Sequence, residues 1–289
     1  MKTDLFKFSH RSEEPENSVL YIVGTPIGNI NDISKRAINV LKNSSLIICE
    51  DTRKTKFLLN QIEVKNKLMS FHQYNAQKKI PEILLRLKNG DSISIVSDAG
   101  MPLISDPGEE LVKQVTLNEY DVVCIPGPCA AITALTSSGL ETSRFLFYGF
   151  LARKGKERDL LLKSISKNPF TSIIYESPKR IKELLLDLKN LCGDKRQLSI
   201  GRELTKKFEQ HLRGDIGNLI EYFNKIEPKG EFTIILEGNK EKNNKSQSMN
   251  VLKNDLISLI DAGLSHSAAA AYLAKKHKKS KNVIYKLII

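Results

Sequence analysis

Residues able to do acid–base and anion chemistry gather in three places. They are Glu50-Asp51-Thr52-Arg53-Lys54-Thr55-Lys56, Tyr175-Glu176-Ser177-Pro178-Lys179-Arg180 and Gly201-Arg202-Glu203-Leu204-Thr205-Lys206. Each follows an apolar run that reads as a strand, and scaffold ends of this kind present functional loops. Carboxylates there can accept a proton, while Arg and Lys can hold phosphate or orient an anion. Helix capping is the alternative for any single cluster: Glu176 and Ser177 suit a helix opening at Pro178. Three clusters around one cleft favour function.

A second kind of loop carries few charges. In Asp98-Ala99-Gly100-Met101-Pro102-Leu103-Ile104-Ser105-Asp106-Pro107-Gly108 the Gly and Pro content excludes helix or regular strand. Backbone carbonyls and N–H groups must then point somewhere other than a ladder. Such acceptors, with one Asp, suit a ligand that carries amines and hydroxyls. Pro126-Gly127-Pro128-Cys129-Ala130-Ala131-Ile132-Thr133 sets small residues at a helix start, where a ligand can approach the backbone or a helix can pack tightly on a sheet. Gly24-Thr25-Pro26-Ile27-Gly28-Asn29 has neither the G-x-G-x-x-G spacing nor a Walker A lysine. It also reads as a tight strand-to-helix turn, with Asp32 available to cap the helix beyond.

The elements that position these loops follow from alternation. Short β-branched runs (VLYIV, LIICE, ISIVS, DVVCI) alternate with helical patterns near 33–41, 54–59, 77–88, 109–117 and 128–138, with a short apolar step at 68–71. This predicts a parallel α/β sheet, with ligands at the carboxyl ends of its strands. Pro107 is expected near the first turn of helix 109–117, and Gly139 as the stop after 128–138. A second block has strands FLFYGF, TSIIYE, QLSIG, FEQHLRG and EFTIILEG, with helices near 157–166, 178–191 and 216–223. Two successive strands without a helix between them imply an antiparallel element, hence a mixed sheet.

The expected organisation is a disordered 1–17, a parallel α/β domain at 18–140, a mixed α/β domain at 141–238, a polar linker at 239–249 and a basic helical module at 250–289. In the module a helix at 251–260 stops at Ala262-Gly263, and Ser265 and Ser280 are candidate caps. Lys275, Lys276, Lys278, Lys279 and Lys281 form the densest positive cluster of the chain.

The chain has 289 residues and a formal net charge of +12, which points to a polyanionic partner such as nucleic acid. Lys excess from compositional drift is the competing explanation. No run of apolar residues is long enough for a transmembrane helix, and the charged N-terminus lacks the apolar core of a signal peptide, so a cytoplasmic setting is expected. Cys49, Cys124, Cys129 and Cys192 show no metal-ligand or disulfide spacing, and no metal is expected. Cys49 and Cys124 fall in strands, where Cys behaves as a small buried hydrophobe.

In order and spacing, LYIVGTPIGN, EDTRKT, SDAGMPLISDPG, IPGPCAAITAL, YGFLARK, YESPKRI, GRELTKKFE and KGEFTIILEG resemble the tetrapyrrole-methylase-like superfamily. More narrowly they resemble its ribosomal RNA small subunit methyltransferase I branch, from about Leu20 to Gly238, with a helical tail like that branch's C-terminal module. The resemblance implies a two-domain α/β fold with an inter-domain cleft for S-adenosylmethionine, a small C-terminal helical module, and a homodimer. It implies 2′-O-methylation of a decoding-region cytidine of 16S rRNA in the small ribosomal subunit. On this basis Pro26, Gly28, Asp98, Ala99, Gly100, Met101, Ile104, Ser105, Cys129, Ala130, Tyr175, Glu176, Arg202 and Glu203 are assigned to S-adenosylmethionine. Arg53, Lys54, Lys179, Arg180, Lys206, Lys275, Lys276, Lys278 and Lys279 are assigned to RNA.

Methyl transfer to a hydroxyl needs in-line alignment and the removal of one proton. Where the family often has histidines this chain has Lys54, Tyr74 and Lys179, and Met101 stands where Thr is common. The candidate bases are therefore the carboxylates Glu50, Asp51 and Asp98, with His72 a lone histidine nearby. Two other readings are open: a methyltransferase of tetrapyrroles or other small molecules, and a non-catalytic rRNA-binding factor. The basic clusters argue against the first, and the intact Gly/Pro loops against the second.

Overall fold

A computed structural model describes residues 14–240, 245–277 and 279–288. The chain forms two compact units, Met1–Gly238 and Asn239–Ile289. The first holds two five-stranded sheets.

One sheet is wholly parallel. Its strands are β1 (Val19–Val23), β2 (Leu46–Cys49), β3 (Leu68–Ser70), β4 (Ile93–Val96) and β5 (Asp121–Ile125), in the order β3-β2-β4-β1-β5. β2 and β4 are buried along their whole length, as strands covered by helices on both faces must be. Alternate residues of β1 divide between the faces. Val19, Tyr21 and Val23 join Ala37, Val40 and Leu41 of α1 (Lys35–Asn43), while Leu20 joins Ile80, Ile83 and Leu87 of α3 (Ala76–Lys88) and Leu111 and Val115 of α4 (Glu109–Leu117). Between α1 and α3 runs α2 (Thr52–Gln61). After β5 comes α5 (Ala130–Ser137), followed by Gly139 at φ +79°.

Several local expectations change. The cap of α1 is Ser34, whose side chain accepts from the Ala37 N–H, because Asp32 is already used in a 3-10 turn at Ile30–Asp32. Pro107 stands beside the first turn of α4, as expected, but the N-cap itself is Gly108, at φ +137°. Cys124 is exposed, because β5 is an edge strand, while Cys49 on the interior β2 is buried.

The second sheet is mixed, in the order β6-β7-β10-β8-β9. β6 (Phe145–Phe150) runs parallel to β7 (Thr171–Glu176), and β8 (Gln197–Arg202), β9 (Gln210–Asp215) and β10 (Phe232–Leu236) are joined by antiparallel pairings. One face packs on α6 (Lys156–Lys167), α7 (Ile181–Cys192) and α8 (Ile216–Lys225). The opposite face is covered by α5, whose Ala131, Ala134 and Leu135 meet Ile173, Leu204 and Ile235. The helix that leaves the first sheet is thus part of the core of the second. α7 starts at Ile181, since residues 178–180 form a turn in which the Ser177 carbonyl accepts from Arg180 and Ile181.

The second unit has α9 (Lys245–Asp261), α10 (His266–His277) and α11 (Lys281–Tyr285) around Leu252, Leu256, Ala269, Ala270, Leu273 and Ile284. Ser265 caps α10 by accepting from the Ala268 N–H. α9 begins within the stretch expected as linker, whose residues from Lys245 on include no Gly or Pro to stop a helix.

Candidate active site

Three loops at the carboxyl ends of β1, β4 and β5 lock into one body. Thr25 and Gly100 form an antiparallel bridge, with Thr25 N–H to Gly100 O at 2.9 Å and the reverse bond at 3.2 Å. Gly24 and Gly127 meet backbone to backbone: a Cβ on either would stand 2.7 Å from the other's Cα, and one on Gly24 would also meet Met101 Sδ at 2.6 Å. Only glycine permits that approach. The 98–108 loop is also strained, since Leu103 (φ +72°) and Ser105 (φ +67°) occupy the left-handed region without being glycine. The density of Gly and Pro in these loops thus serves one rigid wall.

That wall closes a cavity of about 460 Å³ against the second sheet. Asp98, Ala99, Gly100, Met101, Ile104, Ser105, Cys129, Ala130, Tyr175 and Glu176 line it, as do Ile27, Asp106, Phe150, Ser177, Pro178, Leu204 and residues 231–233. Tyr175 ties its two sides together. No side chain caps α5, and the Tyr175 hydroxyl oxygen accepts from the Ala131 N–H at 3.0 Å in its place. Burial pushes this hydroxyl well above its ordinary range. Phe147 and Phe150 hold its ring edge-on or tilted, with centroids 5.1 and 5.5 Å away.

Glu176 is buried in the same wall. One carboxylate oxygen accepts from the Ser177 N–H at 2.6 Å and forms an ion pair with Arg180, whose Nε lies 2.7 Å away and donates to Ser177 Oγ at 3.3 Å. The other, Oε2, is buried with no hydrogen-bond partner. An orphaned carboxylate oxygen in a cavity wall calls for a ligand with a donor group. Arg180 also donates to the Leu151 carbonyl at 3.0 Å, so its guanidinium is engaged inside the protein. The guanidinium expected on RNA is thus turned to Glu176, Ser177 and Leu151, whereas Lys179 beside it is exposed.

Four assigned cofactor residues lie off the cavity. Pro26 and Gly28 border a separate, open depression of about 1030 Å³. Arg202 donates to the Lys229 carbonyl at 2.7 Å and to Gln210 at 3.3 Å. Glu203 accepts from Lys206 Nζ at 2.9 Å and from the Glu231 N–H at 3.0 Å. Both brace the chain between β8 and β10, and Lys206 is held there between Glu203 and Glu231.

Asp98 is where the spaces converge. It lines the cavity, the open depression beside Arg53, Lys54, Phe57 and Lys206, and a third depression bordered by Glu50, Arg53, His72 and Tyr74. Its carboxylate accepts from Lys54 Nζ at 2.7 Å and the Asp51 N–H at 3.3 Å. The bond to Asp98, and its charge, hold the Lys54 ammonium above its usual range. Asp51 caps α2 through the Arg53 N–H at 2.9 Å and grips the Arg53 guanidinium at 2.7 Å. Those bonds hold its carboxyl far below the usual carboxylate range, so Asp51 is a structural anchor and a poor base.

The group that residue type alone passed over is Asp106. It lines the cavity, and burial pushes its pKa up to about 6; a hydrogen bond from Ser97 opposes that shift, and Glu50 and Asp98 reinforce it. The signal in the sequence is its place in the strained loop, directly after Ser105. Among the described residues no cluster of three potential metal ligands occurs, and no helix is long and apolar enough to cross a membrane. In the second unit Lys275, Lys276 and Lys279 are exposed, while Lys278 lies outside the described residues.

The chain belongs to the tetrapyrrole (corrin/porphyrin) methylases, whose family profile matches residues 19–220. Solved structures show the same fold. A cobalt precorrin-4 methyltransferase superimposes with a TM-score of 0.58 at 15% identity over 76% of this chain and 95% of that one. A uroporphyrin-III C-methyltransferase from Thermus thermophilus, complexed with S-adenosyl homocysteine, does so with 0.54 at 16% identity, over 76% and 96%. Within the family the chain falls in the ribosomal RNA small subunit methyltransferase I branch. It is 42% identical to that enzyme of Synechocystis sp. over 93% of this chain and 96% of the relative. For Bacillus subtilis the identity is 40%, over 92% of each. For Thermotoga maritima it is 46%, over 76% of this chain and 98% of the relative.

Proposed function

We propose that this chain transfers a methyl group from S-adenosylmethionine to the 2′-hydroxyl of a decoding-region cytidine in 16S rRNA. The observation that carries the reading is the junction at Asp98, where a cavity with an orphaned buried carboxylate meets a basic depression lined by Arg53, Lys54, Lys206 and Lys207. The cavity residues fit S-adenosylmethionine. Glu176 Oε2 offers an acceptor for an amine or ribose hydroxyl, and Cys129 and Ala130 leave room for a ligand against the backbone. The bound cofactor supplies a sulfonium methyl as electrophile.

The protein positions the groups and takes a proton. Asp106 is the proton acceptor in this reading: a carboxylate near pKa 6 is ionised at neutral pH yet more basic than an ordinary one. Lys54 and Asp98, paired at the junction, orient the ribose, and Glu50 lies at its outer edge. Arg53, Lys54, Lys179 and Lys206, with the lysines of the second unit, face the phosphates. The chain acts in the cytoplasm, as a homodimer. The basic depression and the lysine-rich unit favour an RNA substrate over a tetrapyrrole.

Incubation with labelled S-adenosylmethionine and small subunits lacking the modification tests this. Ribose methylation at one cytidine, mapped by resistance to alkaline cleavage, is expected. Binding of the cofactor without transfer to RNA would overturn the reading.

A further inference from the structure

Two large aromatic side chains stand in solvent at the Asp98 junction. Phe57 is 65% exposed and borders the basic depression; Tyr74 is 92% exposed and borders the third one. Arg53 borders both, with 89% of its side chain exposed, so it forms the ridge between them. Arg53 and Phe57 are four residues apart on α2 and share a face of that helix.

Tyr74 is not exposed through looseness. Its turn is fixed by the Asn75 side chain, which accepts from the His72 N–H at 2.8 Å and donates to the Ser70 carbonyl at 3.1 Å. His72 meets the Tyr74 ring edge-on at 6.1 Å. A rigid turn that holds an aromatic ring in water is preorganised for a flat partner.

We propose that Phe57 and Tyr74 are stacking shelves for single-stranded RNA, one on each side of the Asp98 junction, with Arg53 gripping the phosphate between them. The proposal rests on the RNA methylation reading and specifies the substrate's form: the target nucleotide is presented out of its stack, with neighbouring bases on the two rings. A ribose inside a regular A-form helix could not reach past the Arg53 ridge into the cavity, whereas splayed bases on aromatic side chains are the usual mode of single-strand recognition. Base–aromatic stacking tolerates any sequence, because every base has a flat face.

The test uses the full chain with small ribosomal subunits. Phe57→Ala and Tyr74→Ala are each expected to raise KM for the subunit about tenfold, a typical loss for one stacked base, with the loss falling on KM rather than kcat. Phe57→Trp and Tyr74→Trp should restore it; Phe57→Leu and Tyr74→Leu should not. A single-stranded RNA probe carrying 2-aminopurine should be quenched by the wild type and not by the double alanine variant. Both side chains lie in solvent, so unchanged melting temperatures are expected. Rescue by leucine, or wild-type KM and quenching in both alanine variants, would overturn the shelves while leaving RNA methylation standing. Absence of RNA methylation by the wild type would instead remove the reading beneath them.

Discussion

The cavity and the depressions share Asp98 but are built on opposite chemistry. Around the cavity the wall is backbone and small side chains, pinned by Thr25–Gly100, Gly24–Gly127 and Tyr175–Ala131. Its polar demands converge on two carboxyls, Asp106 and Glu176. Around the depressions the wall is charge, and much of it is paired: Arg53 with Asp51, Lys54 with Asp98, Lys206 with Glu203 and Glu231. Exposed ion pairs contribute only about 0–1 kcal/mol. Lys54 and Arg53 can therefore exchange a carboxylate for a phosphate at little cost, whereas the cavity cannot be rearranged without breaking its wall. Recognition by shape and recognition by exchangeable charge sit side by side.

Breaking the wall is expected to have the largest effect. Gly127→Ala places a Cβ 2.7 Å from the Gly24 Cα. Two backbones must then separate, at a cost of about 3 kcal/mol, and the cavity loses its third loop. Urea unfolding should show the destabilisation, and calorimetry with S-adenosylhomocysteine should show no binding. Retained binding would mean that the loops are not one body.

Asp106→Asn comes next. It should lower kcat by about 100-fold or more, in the range for a lost general base, and leave S-adenosylhomocysteine bound. In the wild type kcat should rise with pH through about 6, as Asp106 ionises, and this limb should vanish in the variant. Stability runs the other way. A carboxyl whose pKa is raised in the fold holds its proton when the unfolded chain has lost it, so stability falls between about pH 4 and pH 6 and stays lower above. Asn should recover about 1 kcal/mol at pH 7, allowing for solvent screening of this half-buried group. A variant that is slow but no more stable would make Asp106 a positioning group.

These two positions also show what a sequence can disclose. The loops that form the cavity were legible, because Gly and Pro in that density have few other uses. The helix at Glu109–Leu117 and the strands at Phe145–Phe150 and Thr171–Glu176 fall where periodicity puts them. Charged residues were harder to read. Arg180, Arg202 and Glu203 look like ligand contacts by type, yet each finds its partner inside the chain, and only three-dimensional proximity decides that. Asp106 was hidden for the converse reason: its chemistry comes from burial, reinforced by the charges of Glu50 on another loop and Asp98 eight residues before it. The residues at 231–233 reach the cavity through an antiparallel pairing that no local pattern marks.

The second unit sharpens the charge side of the comparison. It carries ten lysines against Glu241, Asp255 and Asp261, more than half of the chain's net charge of +12. The Thermotoga relative is matched almost throughout by 76% of this chain, so about a quarter of this chain has no counterpart there. Replacing Lys275, Lys276 and Lys279 by Gln should weaken subunit binding about tenfold near physiological salt, and reduce the slope of log affinity against log salt by about 3 at most. Cofactor binding should not change. An unaltered slope would leave the depressions as the sole phosphate contacts.

The smallest effect is expected where the two sides of the cavity are joined by one neutral hydrogen bond. Tyr175→Phe keeps the ring against Phe147 and Phe150 and removes only the oxygen that accepts from Ala131. The Ala131 N–H then has no cap, since no other side chain bonds to the start of α5. A lost hydrogen bond of this kind costs about 1 kcal/mol. If α5 is positioned for the cofactor by Tyr175, that cost appears as about a fivefold loss of S-adenosylhomocysteine affinity by calorimetry, with subunit affinity measured separately and unchanged. If it appears instead as an equal loss of folding stability with affinity intact, the bond serves the packing of α5 on the second sheet, and the cavity wall is set by its glycines alone.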